Sequence, residues 1–260
     1  MIALPTFRGV LARGSSVDAD AAAYFSRITA AGSSITTANQ SAVNAFIVGC
    51  KADGIWNAIK ASCLLAGPND LTGALVPLVG TAPTNVNFVS GDYNRTTGLL
   101  GDGTTKYLNS NRNNNADPQN NQHMAVRVTA ANTTGGNASL IGNGLGDTGC
   151  SQIINSGGAF NVRTRCQTAT ISDQLSTGAV ITGTVAISRN SSISYNVIQQ
   201  AGIVTTVVTA SETPFSQNTV VYGRNLAANC NPRISFYSIG ESLNLSLLDA
   251  RLTTYMSSLT

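Results

Sequence analysis

The sequence predicts a mainly β protein: an antiparallel two-sheet sandwich preceded by a small helical hairpin. Three observations lead there. From residue 85 onward, short β-branched and aromatic runs alternate with polar residues and are separated by turns containing Gly, Asn and Pro. Before residue 67, apolar residues recur instead at three- and four-residue spacings, the helical period. Only 10% of the chain is charged, against about 25% in ordinary soluble domains. In place of charge stand 26 Asn, 26 Ser and 29 Thr among 260 residues, so amides and hydroxyls solvate the surface. Leu, Ile, Val and aromatics spread throughout argue against disorder, and a chain of this length buries about three quarters of its extended surface.

In chain order, residues 1–16 read as an extended arm, because Pro5, Gly9, Gly14 and two serines interrupt any helix. Residues 17–66 form the helical unit. Its first helix covers 18–31, with acidic residues in the first turn, Gly32 as the stop, and Val17, Ala21, Tyr24, Phe25 and Ile28 as the apolar stripe. A second runs over 37–52, burying Val43, Phe46, Ile47 and Cys50, and breaks at Asp53-Gly54. Ile55, Trp56, Ile59 and Cys63 continue the spacing as a third short helix ending before Gly67-Pro68. Trp56, the sole tryptophan, reads as core in preference to a sugar-stacking platform, since its apolar neighbours fall at helical intervals. Residues 67–84 are the linker, and the Leu-Val-Pro-Leu-Val run within 71–79 ties helices to sheets.

The sandwich occupies 85–260. Turns at 92–98 and 101–103 flank Leu99-Leu100, and a strand follows at 106–108. Residues 109–121, rich in Asn and broken by Pro118, read as a long loop. The strand at 123–129 points Met124, Val126 and Val128 inward. Further strands are expected at 139–141, 159–166, 185–188, 192–198, 203–208 and 220–224. In the last strand, Ile234 and Phe236 alternate with Ser235 and Tyr237 until Gly240. Leu245, Leu248, Leu252, Tyr255 and Leu259 then mark a closing amphipathic helix.

The closing Phe236-Tyr237-Ser238-Ile239-Gly240-Glu241-Ser242-Leu243, with its helix, resembles the end of concanavalin A-like, laminin-G-type jelly rolls. Upstream support comes from the hairpin Val185-Ala186-Ile187-Ser188-Arg189-Asn190 and Ser192-Ile193-Ser194-Tyr195-Asn196-Val197. The likeness covers 86–260. A second resemblance rests on Asp18-Ala19-Asp20-Ala21-Ala22-Ala23-Tyr24-Phe25, on Lys51-Ala52-Asp53-Gly54-Ile55-Trp56, and on Gly91-Asp92-Tyr93-Asn94-Arg95-Thr96-Thr97-Gly98-Leu99. It is to bacteriophage virion proteins in which a helical pair precedes a lectin-like jelly roll. This resemblance implies a non-enzymatic structural protein made in the host cytoplasm and carried in the virion among other virion proteins. A tail-associated or fibre protein touching host surface glycans, and a capsid decoration protein clamping shell subunits, both fit it. A cellular carbohydrate-binding module or hydrolase is the third alternative.

The residues exclude several chemistries. The net charge of +3 comes from 12 Arg and 3 Lys without a run, so nucleic acid is not expected as a partner. No stretch approaches ~20 apolar residues, and the first residues lack the apolar core of a secretory signal. Cys50, Cys63, Cys150, Cys166 and Cys230 have neither metal-ligand spacing nor a nearby histidine, and read as buried free thiols. Cys150 and Cys166 are the pair that neighbouring strands could bring together. The single histidine, His123, opens a strand after a polar loop and reads as a rim residue, not a catalytic base. Glu212 and Glu241 stand apart, without the Glu-x-Asp-x-x-Glu strand of jelly-roll glucanases. Gly101-Asp102-Gly103-Thr104-Thr105-Lys106 lacks the spacing and helix of a phosphate loop. No catalytic residue and no cofactor are therefore assigned. No metal is assigned either, because Asn111, Asn113, Asn114, Asn115 and Asp117 offer a cation only one charged ligand. Sequons at Asn94, Asn132, Asn137, Asn190 and Asn244 need no glycans.

The ligand-contacting candidates are Asn114, Asp117 and Asn120 in the 109–121 loop, because amides both donate to and accept from sugar hydroxyls. The alternative is a solvated or subunit-bridging loop. As exposed side chains, all three should tolerate alanine within about ±0.5 kcal/mol each. The neutral surface predicts self-association, with a homotrimer as the form suited to a fibre.

Overall fold

The computed structural model describes residues 17–135, 138–145, 147–155, 159–164, 173–177, 181–199, 202–226 and 229–260. The expected arm at 1–16, Asn137 and Cys166 lie outside the described residues. In chain order, α1 (Ala19–Ala30) and α2 (Thr37–Ala52) precede β1 (Ile59–Leu64) and the single turn α3 (Leu71–Ala74). Then follow β2 (Thr84–Val86), β3 (Tyr93–Asn94), β4 (Gly98–Leu100), β5 (Tyr107–Asn113), β6 (Gln122–Ala130), β7 (Ser139–Gly142) and β8 (Ser151–Asn155). Next come β9 (Ala159–Thr164), β10 (Asp173–Thr177), β11 (Gly183–Arg189), β12 (Ser194–Ile198), β13 (Val204–Val208) and β14 (Asn218–Val221). The chain closes with β15 (Arg233–Gly240) and α4 (Leu245–Ser257).

Among the described residues, these strands make two antiparallel sheets. The front sheet runs β13-β12-β11-β6-β15-β4-β3, with β1 also on β15; the back sheet runs β10-β9-β8-β7-β14-β5-β2. The expected sandwich is therefore present. Its interior holds Met124, Val126 and Val128 of β6, as their alternation predicts, together with Val185, Ile187, Ile153, Phe160, Val162, Tyr237 and Ile239.

The front sheet is covered on its other face too. Ala125, Ala186, Ile198 and Phe236 alternate out of the interior and meet a second core built from Tyr24, Ile28, Phe46, Ile47, Leu248, Leu252 and Tyr255. The order is thus helices, front sheet, back sheet. Asp18 caps α1 by accepting from the Asp20 amide, and Thr36 caps α2 by accepting from the Asn39 amide, so both helices begin where polar side chains satisfy their first N–H groups. Arg251 of α4 forks onto both oxygens of Asp53, at 2.7 and 2.8 Å, just beyond the end of α2.

Three expectations need correction. The helix expected to end the 17–66 unit is a short 3-10 turn, Trp56–Ala58, followed by β1, which pairs with β15 from Ile59↔Gly240 to Leu64↔Phe236. Both faces of β1 are buried, so its apolar residues follow no strand alternation, and Ile59 and Cys63 mimic a helical interval. Trp56 is half-buried at the lip of the helical layer: its indole N–H donates to Asp20 Oδ2 at 2.9 Å, and Ile55 and Ile59 take the core positions beside it. Finally, the first five residues of the 109–121 loop are strand. Residues 109–113 belong to β5, pairing with β14 and β2 while Leu108 and Ser110 are buried. Asn111 adopts φ 56°, a left-handed conformation that Asn tolerates, beside the register shift in β14.

Candidate functional site

The chain rises along β11, turns through residues 190–193 and returns along β12, with Ser188 opposite Asn196. β13 pairs beyond β12, so that Asn196 faces Thr206 and Ile198 faces Val204. Ser188 and Asn196 lie on the helix-facing side, since Ala186 and Ile198, two residues away on the same strands, belong to the core beneath α4. The segment leading from β15 into α4 crosses this surface and leaves a cleft of about 500 Å3 lined by Ser188, Asn190, Asn196, Val204 and residues 242–246.

Each wall is held in place. Ser188 Oγ donates to the Leu243 carbonyl at 2.9 Å and accepts from the Leu243 amide at 3.1 Å. Asn244 caps α4, its Oδ1 accepting from the Ser246 and Leu247 amides at 3.0 and 3.2 Å. Asn121 Oδ1 accepts from both the amide and the hydroxyl of Ser242. Asn196 Oδ1 accepts from Thr206 Oγ1 at 2.9 Å.

The 190–193 turn is fixed from inside by Arg189, whose fully buried side chain donates to the carbonyls of Thr164, Ser191, Ser194 and Thr209. Its guanidinium lies 4.9 Å from the Tyr195 ring centroid. A buried charge of this kind is tolerated because carbonyl dipoles and an aromatic face replace its water.

Among the described residues, no ionisable side chain lines the cleft. It offers amides and hydroxyls that donate and accept, with Val204, Leu243 and Leu245 as its apolar part. Such a surface matches a neutral polyhydroxylated ligand better than an ion.

The three sequence candidates lie elsewhere. Asn114 sits in the 3-10 turn after β5 and is buried: its amide donates to the carbonyls of Gly149 and Phe215 at 3.1 and 3.0 Å, and its oxygen accepts from Gln122 Nε2 at 2.9 Å. Asp117 is also buried and ion-paired with Arg112 at 2.5 Å. Neither presents its polar atoms outward, which corrects the expectation for both. Asn120 alone is exposed, and it accepts from Ser211 Oγ at 2.5 Å. Its neighbour Asn121 braces the cleft wall, so this loop supports the site from behind.

His123 is not a rim residue. It is fully buried within β6, and burial pushes its pKa down to about 4. Nδ1 lies 2.5 Å from the Glu241 carbonyl, which can only accept, so Nδ1 carries the proton and Nε2 accepts from Ser238 Oγ at 2.9 Å. Cys50, Cys63, Cys150 and Cys230 are buried free thiols; burial pushes Cys50 and Cys63 up to about 12. Among the described residues there is no cluster of three or more His, Cys, Asp and Glu side chains, and no helix long and apolar enough to cross a membrane.

No family model and no curated protein matches the sequence. Solved structures do share the fold. The binding domain of botulinum neurotoxin serotype D superposes with a TM-score of 0.53 at 14% identity, over 76% of this chain and 51% of that one. A structure of botulinum neurotoxin type C, whose cell entry is dependent upon interaction with two ganglioside molecules, gives 0.50 at 12% identity, over 78% and 52%. The carbohydrate-binding module of a Ruminococcus gnavus sialidase, bound to α2,3-sialyllactose, gives 0.38 at 17% identity, over 52% and 83%. The chain spans about half the length of the toxin structures. The common ground is the β-sandwich fold.

Proposed function

We propose that this protein is a non-enzymatic structural component of a bacteriophage virion, tail-associated or fibre-like, whose sandwich recognises a neutral host glycan. The observation that carries the recognition is the cleft of about 500 Å3 at Ser188, Asn190, Asn196 and 242–246, built from amides and hydroxyls with no charged group among its described lining residues. Sugar hydroxyls need paired donors and acceptors, and the β11–β12–β13 hairpins hold such groups on a rigid sheet. The one histidine supports a binding role over catalysis, since both its ring nitrogens are engaged inside the fold. The virion assignment rests on the likeness of residues 18–25, 51–56 and 91–99 to phage virion proteins.

The test replaces Asn190 and Asn196 with alanine and measures adsorption of assembled particles to host cells, with glycan-array binding of the isolated protein alongside. Weakened adsorption and lost array signal are expected. Unchanged adsorption by correctly assembled mutant particles would remove the glycan role.

A capsid decoration protein is the second reading, favoured by the exposed edge of the front sheet. There β13 and its flanks present Ile203 at 70%, Val204 at 40% and Val208 at 81% exposure, an apolar strand edge suited to pairing with a neighbour. Immunogold labelling that marks capsid faces and leaves tails bare would decide for it. Self-association through the same edge accounts for the expected homo-oligomer, and solution mass showing only monomer at high concentration would count against it.

A further inference from the structure

The hydrogen bonds that hold the cleft walls also limit what a ligand there can be. Asn244 commits Oδ1 to the Ser246 and Leu247 amides, which only donate, so its side-chain orientation is fixed and Nδ2 remains available. Asn196 likewise commits Oδ1, to Thr206 Oγ1. Neither Nδ2 has an acceptor among the described residues. Ser188 uses its hydroxyl in both directions, on the carbonyl and the amide of Leu243. Carboxamide donors are thus left free while the matching oxygens are engaged, and a ligand that satisfies them must bring a good acceptor.

The apolar part of the cleft narrows the choice. Val204 is 40% exposed and stands two residues from Thr206 on β13, hence on the same face as the Asn196–Thr206 pair. Leu243 is half-buried beside Ser188. Both are branched aliphatic groups, and among the described lining residues there is no aromatic ring on which the flat face of a pyranose could stack. Such groups suit a single methyl better than a sugar face. An acetamido group joins the two requirements, because its carbonyl oxygen accepts and its methyl sits on the same carbon. A carboxylate would accept as well, but it would meet no cation among the described lining residues.

We infer that the sugar recognised by this cleft is a neutral 2-acetamido sugar, whose acetamido oxygen accepts from the N–H groups that Asn196 and Asn244 leave free and whose methyl packs on Val204 and Leu243. The inference rests on the glycan reading of the cleft and deepens it.

NMR shift titrations of the full chain test it, with the methyl glycosides of N-acetylglucosamine and N-acetylgalactosamine set beside those of glucose and galactose. Each acetamido sugar should bind at least about tenfold more tightly than its hydroxyl counterpart, the scale on which one small apolar group in a pocket discriminates. Asn244→Asp keeps a capping oxygen for α4 but has no N–H to give. Val204→Thr exchanges a methyl for a hydroxyl at an exposed strand position and stays β-branched. Both variants should fold as the wild type does and reduce the preference. Equal affinity for acetamido and hydroxyl sugars would overturn the inference and leave the glycan reading standing. A preference untouched in both variants would also overturn it, by placing the acetamido contact outside the cleft. Absence of binding to every sugar tested would defeat the glycan reading itself, and this inference with it.

Discussion

Replacing Asn114 with alanine separates a solvated loop residue from a structural one. The side chain is 1% exposed, so water cannot take over its bonds. At least three are lost: two donated to the Gly149 and Phe215 carbonyls, and one accepted from Gln122 Nε2. At about 1 kcal/mol net for each bond, with the buried partners left unsatisfied, the loss comes to about 3 kcal/mol. Gln122 is then left with Ser151 and Thr164, whose hydroxyls donate to its Oε1 at 2.9 and 3.0 Å, so the damage reaches β8 and β9. Urea unfolding followed by far-UV circular dichroism and by the single tryptophan, Trp56, would measure it with two independent probes. Asn120→Ala is the internal control: exposed, and expected to change stability by no more than about 0.5 kcal/mol. If Asn114→Ala matched that control, the buried network would not be the structural element described, and the loop would again be a candidate contact surface.

Other perturbations have equally definite outcomes. His123 is neutral when folded, with a pKa of about 4, and takes up a proton more readily when unfolded. Its contribution, on the order of 3 kcal/mol, is therefore complete above its ordinary value near 6.5 and lost as pH falls toward 4. Denaturation midpoints should decline across that interval in the wild type and stay flatter in His123→Gln. Asp18 and Asp53, held low by Lys51 and Arg251, add their own loss only at more acid pH. Of the five cysteines, no more than one should react quickly with a thiol reagent in the native protein, because Cys50, Cys63, Cys150 and Cys230 are buried; all should react in denaturant. Gly98→Ala should lower the melting temperature, since Gly98 has φ 100° and an added Cβ would clash with the Ile234 carbonyl oxygen. An unchanged melting curve would refute that contact. Deleting residues 1–16 should leave the sandwich folded but exclude it from particles; wild-type occupancy would deny the arm an anchoring role.

The periodic parts of the fold were legible because one face met water. α2 begins and ends at the residues its pattern implied, and Leu245, Leu248, Leu252 and Tyr255 bury one stripe of α4 as spaced. β6 was readable for a different reason: its small outward Ala125 contrasts with Met124 and Val126. β1 was not, because burial on both faces erases alternation. The site was less legible than the fold. In the sequence, Asn244 stands out only as a sequon and Asn190 as a sequon in a hairpin turn, and the half-buried Asn196 reads as any strand residue. Their juxtaposition depends on the β11–β12 register and on a loop some fifty residues later, information that no local window contains. The Asn-rich 109–121 stretch drew attention through composition, yet its amides serve the backbone, capping the turn at Asn113 and permitting positive φ at Asn111.

The second core has a consequence for how the chain is made. Tyr24, Phe46 and Ile47, near the beginning, pack with Phe236, Leu248, Leu252 and Tyr255, near the end. β1 likewise gains its partner only when β15 exists. On a ribosome, which releases a chain from its amino terminus at about 5–20 residues per second, the helical hairpin must therefore wait with its apolar stripe uncovered until residues 233–257 have been made. Closure of the long loop between these segments then completes both cores together. A nascent chain stalled before residue 245 lacks α4, and should remain protease-sensitive throughout α1 and α2.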